Sequence, residues 1–246
     1  MRRTVSRLVA VGIAVALGTA FIAASFIATG TIEQTTLRAA RADIGDPDLV
    51  VLGQDTMLTD SDLAQLAELN DLVALQPIGS TYEQVSNGGR SQYVQFTAPP
   101  AHERLGTVTL TEGDLPTAPG QVALPTSTAQ NLGVSIGSTL ELTQYNYSED
   151  GEETLTSTPI TVVGLTSDGS GLGFGAPTAL VAPQTLADWR AQEGADSWRG
   201  ATVVLSDPND ASAVTAQITN LLPDTKVLTG QEYGEQVAAS LTSDVS

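Results

Sequence analysis

One histidine, one lysine and no cysteine set narrow limits on the chemistry this chain can perform. His102, between Pro100 and Arg104, is the sole imidazole, which excludes multi-histidine metal sites and leaves any Ser/His/Asp mechanism resting on one loop residue. Without thiols there are neither disulfides nor thiolate metal sites, and stability must come from burial. The acidic run Ser148–Glu153 lacks the Asp-x-Asp-x-Asp-Gly order and the distant bidentate Glu of a calcium loop, so Asp150-Gly151 reads as a hairpin turn among solvating charges. Gly169, Gly171, Gly173 and Gly175 invite a dinucleotide reading. Their spacing is not G-x-G-x-x-G, however, and Pro177 prevents a helix from following directly. The tract reads instead as a surface loop with Leu172 and Phe174 as candidate exposed contacts. No G-x-x-x-x-G-K-[ST] occurs, and Lys226 is not preceded by glycines, so these residues do not hydrolyse ATP. No catalytic, cofactor-binding or metal-ligating residue is singled out.

The informative residues are architectural. In EGDLPTAPGQVALPTSTAQNLGVSIGSTLELT, from Glu112 to Thr143, Gly113 and the Pro116/Pro119-Gly120 pair break the chain, and Gln121–Leu124 reads as a short buried strand. Pro125 with Thr126 or Ser127 opens a short helix, a hydroxyl at the N-cap satisfying free amides. Gly133 ends that helix in the left-handed conformation, with Val134 packing back on it. Gly137 turns the chain into Ser138–Thr143, where Leu140 and Leu142 alternate with Thr139 and Glu141 as in a half-buried strand. Pro159–Leu165 is the returning strand. Gly113, Gly120, Gly133 and Gly137 are therefore the turn and cap positions.

The order "EG…P…PGQVAL…A..LG…G…L" followed by "TVVGL" resembles the periplasmic core domain of MacB-like, FtsX-like ABC transporter permeases. The agreement is dense over about 55 residues and elsewhere follows only the family's general layout. It departs at Ser138, where an Asp is more usual, and at Gln121, which stands for a Glu. The resemblance implies an extracytoplasmic domain with no catalytic role of its own and a cytoplasmic ABC ATPase as partner. It further implies a permease dimer in contact with membrane lipid.

The two ends of the chain fit that layout. Leu8 to Thr29 runs without a charge, long enough at about 1.5 Å per residue to cross a hydrocarbon core of roughly 30 Å. A cleaved secretory signal is the competing reading, but its apolar region runs only about 7–15 residues. Arg2, Arg3 and Arg7 precede the span while all 28 acidic residues follow it, which places the N-terminus in the cytoplasm and the main domain outside a bacterial cell membrane. The net charge of −18 argues against nucleic acid as a partner. Thr31–Ile44 holds good helix formers and no Gly or Pro, so the helix continues outward as a stalk until Gly45 and Pro47 break it.

Beyond the stalk, Asp48–Gly53, a helix over Asp60–Leu69 and a strand at Leu72–Ile78 make a βαβ rhythm, and Tyr93–Thr97 alternates as another strand. The last third gives strands at Thr178–Val181, Ala201–Leu205 and Lys226–Leu228, the last an edge strand. It also gives helices at Pro183–Trp189 and Ala211–Leu222 and a final helix from near Gln231. The expectation is an α+β fold in four parts. Residues 1–30 form the basic end and membrane helix, 31–45 the stalk, 46–230 the extracytoplasmic core, and 231–246 the start of a helix leading back to the membrane. The function expected is mechanotransmission, in which ATPase-driven movement of membrane helices is passed to the outer domain. The alternative is a membrane-anchored extracellular binding module. With the last helix still underway at Ser246, further spans are expected to follow.

Overall fold

The computed structural model describes residues 44–106, 108–147, 153–168, 176–195 and 197–243. The membrane span at Leu8–Thr29, the stalk up to residue 43, the turn at Asp150-Gly151 and the contacts Leu172 and Phe174 lie outside them. Among the described residues no helix is long and apolar enough to cross a membrane. Residues 41–233 form one compact unit, and residues 1–40 with 234–246 form another, of which only 234–243 are described.

The compact unit opens with β1 (Leu49–Gly53), whose Val50 and Val51 are fully buried. The two-residue strand β2 (Leu58–Thr59) leads into α1 (Asp60–Ala67). Thr59 caps that helix reciprocally: its hydroxyl accepts from the Asp62 amide at 3.2 Å, and the Asp62 carboxylate accepts from the Thr59 amide at 2.8 Å. Leu63 and Leu66, spaced to share one face, enter the core. The helix stops at Ala67, two residues short of the expected Leu69, and β3 (Leu72–Ile78) follows at the expected bounds.

The chain then leaves this lobe and builds a barrel. Its strands are β4 (Thr81–Asn87), β5 (Arg90–Thr97), β6 (Leu110–Gly113) and β7 (Gln121–Pro125); the helix α2 (Thr126–Leu132) comes next, then β8 (Thr139–Tyr147), β9 (Glu153–Thr166) and β10 (Thr178–Val181). β9 pairs with β7 on one side and β8 on the other, and β7, β10, β5, β4 and β8 complete the ring, so six strands close on themselves. Closure gives each of the six a neighbouring strand on both sides. β6 lies outside the ring, paired only with β9. Alternation puts Val85, Val94, Phe96, Val122, Leu124, Leu140, Leu142, Ile160 and Val162 in the core, while Tyr82 and Tyr93 on intervening positions face solvent. The helix α3 (Pro183–Gln192) lies against β4 and β5, with Trp189 meeting the Phe96 ring edge-on at 5.4 Å.

The short strand β11 (Ser197–Trp198) pairs with β2, and β12 (Gly200–Leu205) returns the chain to the first lobe. There α4 (Ala211–Leu221) buries Val214 and Ile218, β13 (Thr225–Thr229) follows, and α5 (Gly230–Ser243) begins. The sheet order is β13-β1-β12-β3, antiparallel throughout. Two βαβ units, β1-α1-β3 and β12-α4-β13, are therefore interleaved, each inserting a strand between the other's pair; this is the split βαβ arrangement of a ferredoxin-like lobe. β12 has a neighbour on both sides and is buried at all six positions. The barrel is an insertion within this lobe, spanning residues 79–199.

The polar strand β4 has no counterpart in the sequence reading. Its turn was nonetheless written in the residues: Asn87-Gly88-Gly89-Arg90 joins β4 to β5 through Gly88 and Gly89, at φ 55° and 84°, the two positive dihedrals of a tight hairpin. The start of α2 also differs from expectation. Pro125 occupies the cap position, and no hydroxyl accepts from the helix amides. The Thr126 hydroxyl donates instead to the Thr166 carbonyl, and Asp168 accepts from both the amide (3.1 Å) and the hydroxyl (2.6 Å) of Ser127. Proline supplies no side-chain acceptor, so a carboxylate just beyond β9 does the capping.

Candidate functional site

The residues whose bonds connect the two lobes gather at two places along β12. At one end the chain crosses between lobes twice, through Gly79-Ser80 and through Ser197–Arg199. Arg190 of α3 holds both crossings, donating from Nη1 to the Ser80 carbonyl (2.8 Å) and from Nη2 to the Ser197 carbonyl (2.6 Å). Its guanidinium stacks over the Trp198 ring at 4.7 Å, and Trp198 Nε1 donates to Asp60 Oδ1 at 2.7 Å, at the start of α1. Burial pulls the Arg190 guanidinium below its ordinary value, against the opposing charges of Glu193 and Asp60. Gly79 is required by this packing, because a Cβ there would sit 2.7 Å from Trp198 Cε3.

Beside that crossing lies a carboxyl pair. Glu83, on the inward face of β4, is 2% exposed. The Thr81 hydroxyl lies within hydrogen-bond reach of Glu83 Oε1 (3.3 Å) and of a Glu193 carboxylate oxygen, and Gln144 Nε2 donates to Glu83 at 3.4 Å. Thr81 has one proton to give to two acids. Burial, with Glu193 alongside, pushes Glu83 up to about 7, so near neutrality Glu83 is only partly ionised.

The second place is at the other end of β12, where the chain first enters the domain. Ile44–Asp48 forms a lead-in held by the barrel lobe's loop 98–106. Arg104 grips Asp48 with both prongs, Nη1 to Oδ2 at 2.9 Å and Nη2 to Oδ1 at 2.8 Å, and its carbonyl accepts from the Asp46 amide at 2.6 Å. Asp48 also accepts from the Leu205 amide at 2.8 Å, tying the grip to β12. The Asp48 side chain is 9% exposed; burial alone would raise its pKa, but Arg104 and the Leu205 N–H together hold it below the ordinary carboxylate value. Gly45, at φ 70°, lets the backbones meet, because a Cβ there would overlap the Arg104 carbonyl at 2.2 Å. Ile44 and Leu105 are buried at the same point.

Of the residues singled out from sequence, Gly113, Gly120, Gly133 and Gly137 have φ of 77°, 75°, 70° and 87°. Gly133 follows α2, with the Val134 amide reaching the Ala129 carbonyl (2.9 Å) and the Gly133 amide the Gln130 carbonyl (3.1 Å), the bonding of a Schellman cap. These glycines frame the barrel and none touches the lobe junction. His102 Nδ1 accepts from the Arg104 amide at 3.2 Å, which shapes the gripping loop. Among the described residues no group of three or more His, Asp or Glu could hold a metal. Arg104, Asp48, Arg190, Trp198 and Glu83 carried no sequence signal: their partners lie far along the chain and match no short motif.

A ferredoxin-like lobe carrying an inserted barrel, with its grips at the junction, defines a mixed α/β domain assembled around two inter-lobe contacts. The chain belongs to the family of the MacB-like periplasmic core domain, whose family model matches residues 12–221. Among solved structures it is similar to the extracellular domain of the noncanonic ABC-type transporter YknZ from Gram-positive bacteria. That likeness has a TM-score of 0.54 at 10% identity, over 74% of this chain and 99% of that one. It is also similar to the periplasmic region of MacB from Actinobacillus actinomycetemcomitans, with a TM-score of 0.53 at 15% identity, over 80% of this chain and 95% of that one. At these identities the likeness establishes the fold alone. No curated protein matches the chain.

Proposed function

We propose that this domain is the extracytoplasmic part of an ABC transporter permease, and that it passes ATPase-driven movement of membrane helices outward. The partner is a cytoplasmic ABC ATPase, the permease works as a dimer in the bacterial cell membrane, and the N-terminus lies in the cytoplasm. Membership of the MacB-like periplasmic core family supports the general role.

One observation carries the mechanical part. The lead-in and the start of α5 meet on the ferredoxin-like lobe: a Cβ on Gly230 would lie 2.4 Å from the Pro47 carbonyl oxygen. Two chain connections that leave a domain from one point move that point together, which suits a part driven from below. The α5 start is stiffened by its own capping box, the Thr229 hydroxyl accepting from the Glu232 amide (3.2 Å) and the Glu232 carboxylate from the Thr229 amide (2.8 Å).

The test is an insertion in the complete permease assembled with its ATPase. A flexible Gly-Ser segment at Ala39 behaves as random coil. It is expected to abolish transport or signalling while membrane insertion and basal ATPase activity persist, and an alanine-rich helical segment of equal length is expected to preserve function. Full function with the flexible insert would assign the domain to a tethered extracellular binding module instead.

A further inference from the structure

We propose that Arg104 is the coupling residue of this domain, the point through which displacement of the lead-in reaches the barrel lobe. This deepens the mechanical reading above and rests on it. The geometry begins with attachment. The barrel lobe is covalently joined to the ferredoxin-like lobe only where β3 ends and β12 begins, and Ile78 and Gly200 are paired neighbours in the sheet. Two connections side by side act as a hinge, and the contacts that brace it, β11 with β2, Trp198 with Asp60 and Arg190 with both crossings, all lie at that same end of β12.

The Arg104 loop supplies a point of attachment remote from that hinge. Asp48 bonds to β12 at Val203 and Leu205, the far end of that strand from Gly200. Five residues of strand at about 3.3 Å each place the grip roughly 16 Å from the hinge. On the way the loop touches the sheet once more, the Ala101 amide donating to Gln76 Oε1 at 2.9 Å. Hinge and grip together fix the tilt of the barrel, and the grip closes on the lead-in itself, five residues before Gly53 ends β1. A push on the lead-in therefore acts on both lobes at once.

The grip is built to stay closed. It is a two-pronged, charge-assisted contact to a buried carboxylate, and opening it would leave that charge without its cation. Asp46, 80% exposed and 3.7 Å from Nη2, adds a second acidic neighbour that does not compete for the fork. Lysine could not replace the arginine, since an ammonium offers a point charge where Asp48 takes two parallel donors.

The experiment uses the complete permease with its ATPase in lipid nanodiscs. These 246 residues contain no cysteine, so spin labels go on Ser91 of the barrel and Asn220 of α4, both exposed. With Arg104 intact, the inter-lobe distance is expected to be narrow and identical with and without ATP. Arg104→Gln is expected to broaden it, make it nucleotide-dependent and lower transport several-fold at unchanged ATPase activity. The double variant Asp48→Asn/Arg104→Gln removes the grip without stranding a charge and carries the test if the single variant fails to fold. A distance as narrow in the variants as in the parent overturns the proposal, as does a broad distance in the parent. Loosened lobes with full transport also overturn it, because the grip is then structural only. All three leave the mechanical reading standing, since that falls only if the flexible insert at Ala39 is tolerated.

Discussion

Glu83 is the residue at which the barrel is sensitive to pH. Its inward position on β4 takes it out of water, Glu193 stands beside it, and Thr81 has a single proton for both. Its folded pKa of about 7 lies above the ordinary carboxylate value of roughly 4.3, so the folded state holds a proton that the unfolded chain has released. The stability this contributes is fully present below the unfolded value and is lost as pH rises through about 7. Glu83→Gln imitates the protonated acid at every pH. The variant is therefore expected to unfold at a higher denaturant concentration than the parent at pH 8, with the difference vanishing near pH 4.5. Urea midpoints of the isolated domain across that range measure this, and a difference independent of pH would show that Glu83 does not titrate as described. Asp48 has the opposite sign: Arg104 and Leu205 lower its pKa, so its contribution is present above the ordinary carboxylate value and is lost as pH falls through the folded one. Comparing parent with variant isolates Glu83 from that background.

At the scale of elements, α2 shows how a local motif is completed from elsewhere. Its C-terminus was legible, because a left-handed glycine followed by an apolar residue is a local code and Gly133-Val134 satisfies it. Its N-terminus was not, since the capping acceptor is Asp168, beyond the end of β9. Asp168→Ala is expected to cost about 1 kcal/mol of domain stability and to speed amide exchange in the first turn of α2, with Asp168→Asn costing less. Unchanged exchange there would mean that Ser127 finds another acceptor. The two departures from the family pattern read the same way. Ser138 accepts from the Ser135 amide at 3.1 Å, and Gln121 Oε1 accepts from the amides of Thr117 and Ala118 at 3.0 and 3.1 Å. Each keeps an acceptor where the usual acid would be, which is why the motif survives the exchanges. β4 was missed for a different reason. Thr81, Glu83 and Val85 alternate inward, but two of those three are polar, so a period-two test of hydrophobicity finds nothing. The strand β6 is exposed at all four positions, and β11 has only two residues, so neither announces itself.

For the whole molecule, the sequence showed the parts of the ferredoxin-like lobe without their arrangement. Leu72–Ile78 and Gly200–Leu205 are sheet neighbours separated by the entire barrel, and nothing local to either names the other. The lobe junction was hidden for the same reason, Arg104 meeting Asp48 56 residues away. Insertion at a paired position leads to a prediction about independence. Because Ile78 and Gly200 are partners, an Asn-Gly turn can replace residues 79–199 without moving either strand. The remaining lobe keeps its four strands, α1 and α4, with Leu49, Val51, Leu66, Val203, Val214 and Ile218 as core. It has about 80 residues from residue 44 onward, above the roughly 55–65 at which domains fold unaided. It loses Trp198, which covers the start of α1, and Arg104, though without the loop 98–106 water can reach Asp48. The excised lobe is therefore expected to unfold cooperatively, at a lower midpoint than the intact domain, with native far-ultraviolet circular dichroism for a four-stranded sheet and the three helices α1, α4 and α5. A non-cooperative melt would show that the two lobes are one folding unit. A cooperative melt would show that the ferredoxin-like lobe is a folding unit of its own, onto which the barrel is inserted at a paired position.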